Sequence, residues 1–144
     1  MDSTSFIGFS RDLTIEEYNR LRVAVGWQPV APRLAQRSLD NALFMTVARV
    51  DGTPVGMARV LGDGGYVLYL ADVIVLPAHQ RTGIGTRMME DVMAYIDRYT
   101  LPGERVFVNL MAAAGKEPFY ARFGFSQRPE GPLGSGMSMY YSQD

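Results

Sequence analysis

Val73-Ile74-Val75-Leu76-Pro77-Ala78-His79-Gln80-Arg81-Thr82-Gly83-Ile84-Gly85-Thr86 changes character twice within fourteen residues. An apolar run stops at a proline, a polar glycine-bearing loop follows, and from Ile84 the apolar residues recur with a helical period. Ile84, Met88, Val92, Tyr95, Ile96 and Tyr99 form one stripe, and Pro102-Gly103 ends it, so the spacing predicts strand, loop and a helix over Ile84 to Tyr99. The loop carries Arg81, Gly83 and Gly85 at the start of that helix. Unpaired N–H groups and the positive end of the helix dipole favour anions there, and glycines let ligand oxygens approach the backbone. Gly83-Ile84-Gly85 alone is a weak signal: Met88 stands where a dinucleotide fingerprint needs its third glycine, and no Gly-Lys-Ser/Thr supports a Walker loop. On these residues alone, a phosphate loop and an ordinary glycine turn opening a helix both stand.

Upstream, the residues from Ser5 to Ser10 read as a short strand. Thr14-Ile15-Glu16-Glu17 fits a capping box, with Leu13 and Tyr18 at the staple positions. Tyr18, Leu21 and Val25 share a helical face that Gly26 stops, and Arg33 to Leu39 reads as a second helix after Pro29 and Pro32. Leu43 to Val50 and Pro54 to Leu61 are strands joined by Asp51-Gly52, a strong hairpin signal, and Tyr66 to Leu76 follows as a third. Downstream, Arg105 to Met111 predicts a strand, Glu117 to Phe123 a short helix, and Met137 to Tyr141 a last strand with Tyr140 and Tyr141 alternating inward and outward. The order β-α-α-β-β-β-α-β-α-β is that of a mixed α/β sheet flanked by helices, taken as one domain over residues 1–144.

Composition removes several function classes. Fourteen Lys and Arg against fifteen Asp and Glu give a net charge of −1, without the basic footprint of a nucleic-acid or membrane-surface binder. With no Cys and one His, thiolate and multi-histidine metal sites, disulfides and cysteine nucleophiles are excluded, and no metal is expected. The Met1-Asp2-Ser3 start lacks a signal-peptide pattern, and the expected address is the cytoplasm.

Gln80-Arg81-Thr82-Gly83-Ile84-Gly85 resembles the Q/R-x-x-G-x-G/A signature of the GNAT superfamily of N-acetyltransferases, with Val75-x-Pro77 in register before it. Phe119-Tyr120-Ala121-Arg122-Phe123-Gly124-Phe125 is similar to that family's later F-Y-x-x-x-G-F segment, and the element order agrees over essentially the whole chain. The resemblance implies a mixed sheet splayed between two central strands. The gap admits the pantetheine arm of acetyl-CoA, a cosubstrate, along the backbone of Val73, Ile74 and Val75. Arg81, Thr82, Gly83, Ile84, Gly85 and Thr86 match the pyrophosphate cradle, and Tyr120 matches the tyrosine that protonates the departing thiolate.

Attack of an amine on a thioester builds charge on the carbonyl oxygen, which a preorganised N–H stabilises. An amine with a lysine-like pKa of about 10.4 is neutral about once in 10³·⁴ molecules at pH 7, so making it reactive costs about 4.6 kcal/mol. Seven residues before Tyr120, where relatives often carry an asparagine, this chain has Ala113, with Asn109 nearby on the preceding strand. Asp72 is the candidate base, its alternative being a solvated or turn-supporting strand carboxylate. Glu117 reads as a helix-start charge and His79 as a surface residue behind the cradle, while Lys116 and Arg122 are open between nucleotide contacts and solvated charges. Trp27, between the two early helices, is weighed as a border of the acceptor site against a packed core residue, and Asn109 is the second acceptor candidate.

Acetyl transfer to a primary amine by direct attack in a ternary complex is therefore expected, with a small-molecule amine as first choice of acceptor. A protein N-terminus or lysine, a non-catalytic acyl-CoA sensor and a nucleotide-binding protein are the alternatives. A homodimer is compatible with each, and neither nucleic acid nor membrane is expected as a partner.

Overall fold

The computed structural model describes residues 6–143. Its elements are β1 (Ile7–Ser10), α1 (Ile15–Ala24), α2 (Pro32–Asp40), β2 (Phe44–Val50), β3 (Thr53–Gly62), β4 (Val67–Val75), α3 (Ile84–Tyr99), β5 (Phe107–Leu110) and α4 (Glu117–Ala121). The described residues divide into two compact units, one up to Leu110 and one from Met111.

The first unit is a five-stranded sheet in the order β1-β2-β3-β4-β5, antiparallel except for the parallel pair β4–β5. Local signals set much of it. Thr14 Oγ1 accepts from the Glu17 N–H at 3.1 Å while Glu17 accepts from the Thr14 N–H at 3.0 Å, closing the capping box of α1. At the other end Gly26 takes φ +87°; its N–H reaches the Val23 carbonyl at 3.0 Å and the Trp27 N–H the Arg22 carbonyl at 2.9 Å, a Schellman motif. Asp51 and Gly52 both have positive φ, as a two-residue hairpin between right-twisted strands requires.

Neighbouring residues on a strand point to opposite faces, and the core divides accordingly. Val47 and Met57 join Leu13, Tyr18, Leu21, Ala35 and Ile74 beneath α1 and α2. Ala48 and Val55 join Ile84 and Met88 beneath α3. Of the α3 stripe, Ile84, Met88, Val92 and Ile96 are buried, while Tyr95 and Tyr99 are half-buried, Tyr95 stacked on Phe44 at 4.7 Å between ring centres. Gly56 lies under this helix; a Cβ there would meet the Ile74 carbonyl oxygen at 2.9 Å and Met88 Cε at 3.3 Å.

The second unit holds α4 and a turn bridging Glu130 to Leu133. The strand expected over Met137 to Tyr141 is absent: the segment takes no regular structure, and Met137, Met139, Tyr140 and Tyr141 are all exposed, so the inward–outward alternation of the two tyrosines fails too. Alternation and β-propensity reflect a half-buried sheet surface, and here no such surface pairs with them. The first strand spans Ile7–Ser10; Ser5 of the expected range lies outside the described residues.

Candidate active site

The sheet forks within the first unit. β4 and β5 pair only from Val67 against Phe107 to Leu70 against Leu110, yet β4 runs on to Val75, held there by β3 alone. From Ala71 to Val75 the edge turned away from β3 has no strand partner among the described residues. Asn109 faces Tyr69 across the last paired turns of the fork, both half-buried.

A bulge sits at the fork. Arg59 is opposite Ala71 and Met57 opposite Ile74, so Asp72 and Val73 together stand against Ala58. Ala71 and Ile74 thereby share a face although three residues apart, and Ile74 is driven into the α1–α2 core at 2% exposure. Asp72 takes φ +54°, a left-handed conformation that costs a residue with a Cβ about 1–2 kcal/mol. Side-chain bonds offset it. The Asp72 carboxylate accepts from the Tyr18 hydroxyl at 2.7 Å, Arg22 Nη1 at 3.1 Å and Arg59 Nε at 2.6 Å, and all these side chains are largely buried. Burial first, and then the Asp72 charge, push the Tyr18 phenol above its ordinary value, which keeps it a neutral donor. The Tyr69 phenol is raised by the same two causes in the same order.

This engagement bears on Asp72 as a base. Its oxygens already receive two guanidinium groups and a phenol, a setting suited to holding the strand. The same bonds fit its alternative as a turn-supporting carboxylate. Tyr18, Arg22 and Arg59 had no such role in the sequence, where Tyr18 reads only as a core-facing residue; their convergence arises from tertiary contacts between α1, β3 and β4.

Beyond β4 a short 3₁₀ turn, Pro77–His79, leads to the loop before α3. Arg81 (φ +63°) and Gly83 (φ +89°) are both left-handed, and Gly83 caps α3 without a side-chain bond to its first turn. The leading N–H groups of a helix lack intrahelical acceptors, and alternating backbone turns of this kind form anion-binding concavities. Arg81, Thr82 and Gly83 are exposed, and Gly85 and Thr86 half-exposed. Ile84 is the exception: its side chain is buried with Ala48, Val55 and Met88, so only its backbone can face a ligand. Gln80 Nε2 donates to the Val75 carbonyl at 2.9 Å and the Thr82 hydroxyl to the His79 carbonyl, tying strand to loop.

Trp27 is half-buried against the α1–α2 core, with the Arg22 guanidinium 5.3 Å above its ring. In the second unit, Tyr120 is buried among aromatic rings, 5.2 Å from Phe119 and 6.3 Å from Phe125 between ring centres. That burial pushes its phenol up to about 12. Lys116 precedes α4 as an exposed residue, and the Arg122 guanidinium lies over the Phe119 and Phe123 rings at 5.7 and 5.5 Å.

An open strand edge followed by a left-handed glycine loop at a helix start suits an extended ligand with a peptide-like arm and a phosphate-bearing end. Comparison with known proteins gives the family. A profile described as an acetyltransferase (GNAT) domain matches residues 15–135. Serotonin N-acetyltransferase 2, chloroplastic, of Oryza sativa subsp. japonica is 29% identical over 139 residues, 93% of this chain and 66% of that one. An uncharacterized N-acetyltransferase, ycf52-like, of Prochlorococcus marinus is 30% identical over 126 residues, 84% of this chain and 67% of that one. A Staphylococcus aureus protein described as a probable acetyltransferase shares the fold at a TM-score of 0.85 and 33% identity, covering 94% of this chain and 100% of its own. The chain belongs to the GNAT family and is an N-acetyltransferase. No helix among the described residues is long and apolar enough to cross a membrane.

Proposed function

We propose that this protein moves the acetyl group of acetyl-CoA to the primary amine of a small molecule, by direct attack in a ternary complex. The observation that carries this is the open edge of β4 from Ala71 to Val75, followed after one short turn by the Arg81–Thr86 loop. The backbone of Val73, Ile74 and Val75 takes the pantetheine arm as an added strand would, and one of their N–H groups faces the thioester oxygen as it gains charge. Arg81 and the N–H groups through Thr86 hold the pyrophosphate. Trp27 and Asn109 contribute to the acceptor side.

The amine nitrogen attacks the carbonyl carbon, the carbon–sulfur bond breaks, the nitrogen loses a proton and the sulfur gains one. Tyr120 supplies the donor for the sulfur; its raised phenol is protonated throughout the neutral range. Asp72 serves by holding the strand, and the deprotonation of the amine is left to solvent and to desolvation in the site. A small-molecule acceptor is supported by the rice relative named for serotonin and by the net charge of −1, which offers no broad acidic surface to a polybasic peptide. Both units act as one domain in this reading, since the family match runs across the boundary between them.

The test is free-thiol release from acetyl-CoA with a panel of arylalkylamines, polyamines, amino sugars and a lysine peptide. Release with one of the small amines supports the proposal. Tight acetyl-CoA binding without release from any of them would leave an acyl-CoA-binding protein instead, and release with the peptide alone would move the acceptor to proteins.

A further inference from the structure

We propose that Arg22 is a positioning residue that couples the cofactor strand to the acceptor turn, so that occupying the β4 edge is felt at Trp27. This rests on the placement of acetyl-CoA along β4 argued above. Arg22 reaches both sides. Its Nη1 donates to Asp72 Oδ1 at 3.1 Å, on the bulge where β4 leaves β5. Its Nε donates to the Gln28 carbonyl at 2.8 Å, its own carbonyl accepts from the Trp27 N–H at 2.9 Å, and its guanidinium covers the Trp27 ring at 5.3 Å. One side chain thus fixes the turn after α1 and grips the bulge.

The bulge is the part of β4 able to respond. Asp72 is left-handed there and is kept so by its side-chain bonds, with Arg59 and Tyr18 anchoring the second carboxylate oxygen. A ligand pairing with the backbone from Val73 onward, next to Asp72, stiffens that conformation, and the carboxylate transmits the change to Arg22. The turn is held independently at its far end, where Asn19 exchanges two bonds with Val30 at 2.8 and 2.9 Å. Movement of Arg22 therefore falls on the residues between, Trp27 and Gln28.

Trp27 is the only tryptophan in the sequence, so its emission reports this turn without ambiguity. Acetyl-CoA is titrated into the protein, with binding measured by calorimetry and Trp27 emission followed in parallel. The wild type is expected to show an emission change that saturates with the calorimetric Kd. Arg22→Met, which keeps the stem and removes the guanidinium, is expected still to bind acetyl-CoA while losing most of the emission response. Arg22→Lys restores the charge without the fork of bonds and is expected to recover part of the response; it also carries the test if Arg22→Met fails to fold by circular dichroism. A full wild-type response in Arg22→Met, or in Arg22→Lys where that variant stands alone, overturns the coupling, as does calorimetric binding by the wild type with no emission change. Absence of acetyl-CoA binding in calorimetry overturns the functional reading itself, and the coupling with it.

Discussion

Replacing Tyr120 by Phe keeps the ring against Phe119 and Phe125 and deletes one donor. The phenol is pushed up to about 12 by burial, whereas a thiol resembling cysteine titrates near 8.5. Complete transfer of the proton from phenol to thiolate is then uphill by about 3.5 pKa units, or about 4.8 kcal/mol. At that mismatch the role proposed for the phenol is mainly that of a hydrogen-bond donor to the sulfur as charge gathers on it, with solvent completing the protonation. A hydrogen bond to a charged group contributes about 1.5–3 kcal/mol, so kcat should fall about 10–100-fold, with acetyl-CoA affinity maintained. Single-turnover thiol release with the best amine of the panel is the assay, repeated with an acetyl thioester of lower thiol pKa, for which the loss should shrink. The raised phenol also makes a stability prediction of fixed sign. Folded and unfolded states both keep the proton below about pH 10; above it the unfolded chain ionises first, so stability falls as pH rises toward about 12, by at most about 3 kcal/mol. Tyr120→Phe should lose its share of the alkaline slope, while the raised phenols of Tyr18 and Tyr69 keep theirs. Wild-type single-turnover rates in the Phe variant would show that Tyr120 only packs.

The other predictions address the strand and the loops. Gly85→Asp places a carboxylate in the proposed phosphate loop and should weaken acetyl-CoA binding at least tenfold, about 1.4 kcal/mol, in calorimetry; unchanged affinity with an intact circular dichroism spectrum would remove the loop from the site. Trp27→Ala should raise the acceptor KM with little change in the acetyl-CoA Kd. Its half-burial also predicts a stability loss of about 1–2 kcal/mol in denaturant unfolding, below the 3–5 kcal/mol typical of a buried aromatic, and a larger loss with KM unaltered would make it purely core. Gly56→Ala drives a Cβ to 2.9 Å from the Ile74 carbonyl oxygen, so it should cost about 1–3 kcal/mol and shift β4 enough to weaken acetyl-CoA binding; a more stable variant with native affinity would show that β4 yields freely.

Much of this architecture is legible locally because its causes are local. The Thr14–Glu17 capping box, the Gly26 stop, the Asp51-Gly52 hairpin and the period of α3 each follow from a few adjacent residues, and all appear where their chemistry puts them. The open loop from Arg81 to Gly83 is legible too, since its glycine and helix start are consecutive. The strand expected at Met137 to Tyr141 fails for the complementary reason: alternation describes a surface fit to be paired and says nothing of a partner. The bulge is illegible in a different way. Asp is among the residues that visit left-handed backbone, but nothing adjacent to Asp72 marks it, and its partners Tyr18, Arg22 and Arg59 lie 54, 50 and 13 residues away.

That distance explains why the fold and the site of this protein are one problem. A sheet forks only if one strand stops pairing while its neighbour continues, and β4 continues with one residue too many against β3. The extra residue reverses the alternation, so that Ile74 can fill the core beneath α1 and α2 while the backbone beside it is left open to a ligand. It also needs a left-handed residue, and an Asp there is held only if donors reach it. Those donors come from α1 and β3, the elements whose apolar faces build the same core. Packing α1 correctly therefore brings Tyr18 and Arg22 to the bulge, and the bulge in turn fixes the strand edge on which the proposed chemistry depends. A glycine at position 72 would relieve the backbone strain yet surrender the anchor, leaving the two guanidinium groups of Arg22 and Arg59 facing each other without the carboxylate between them.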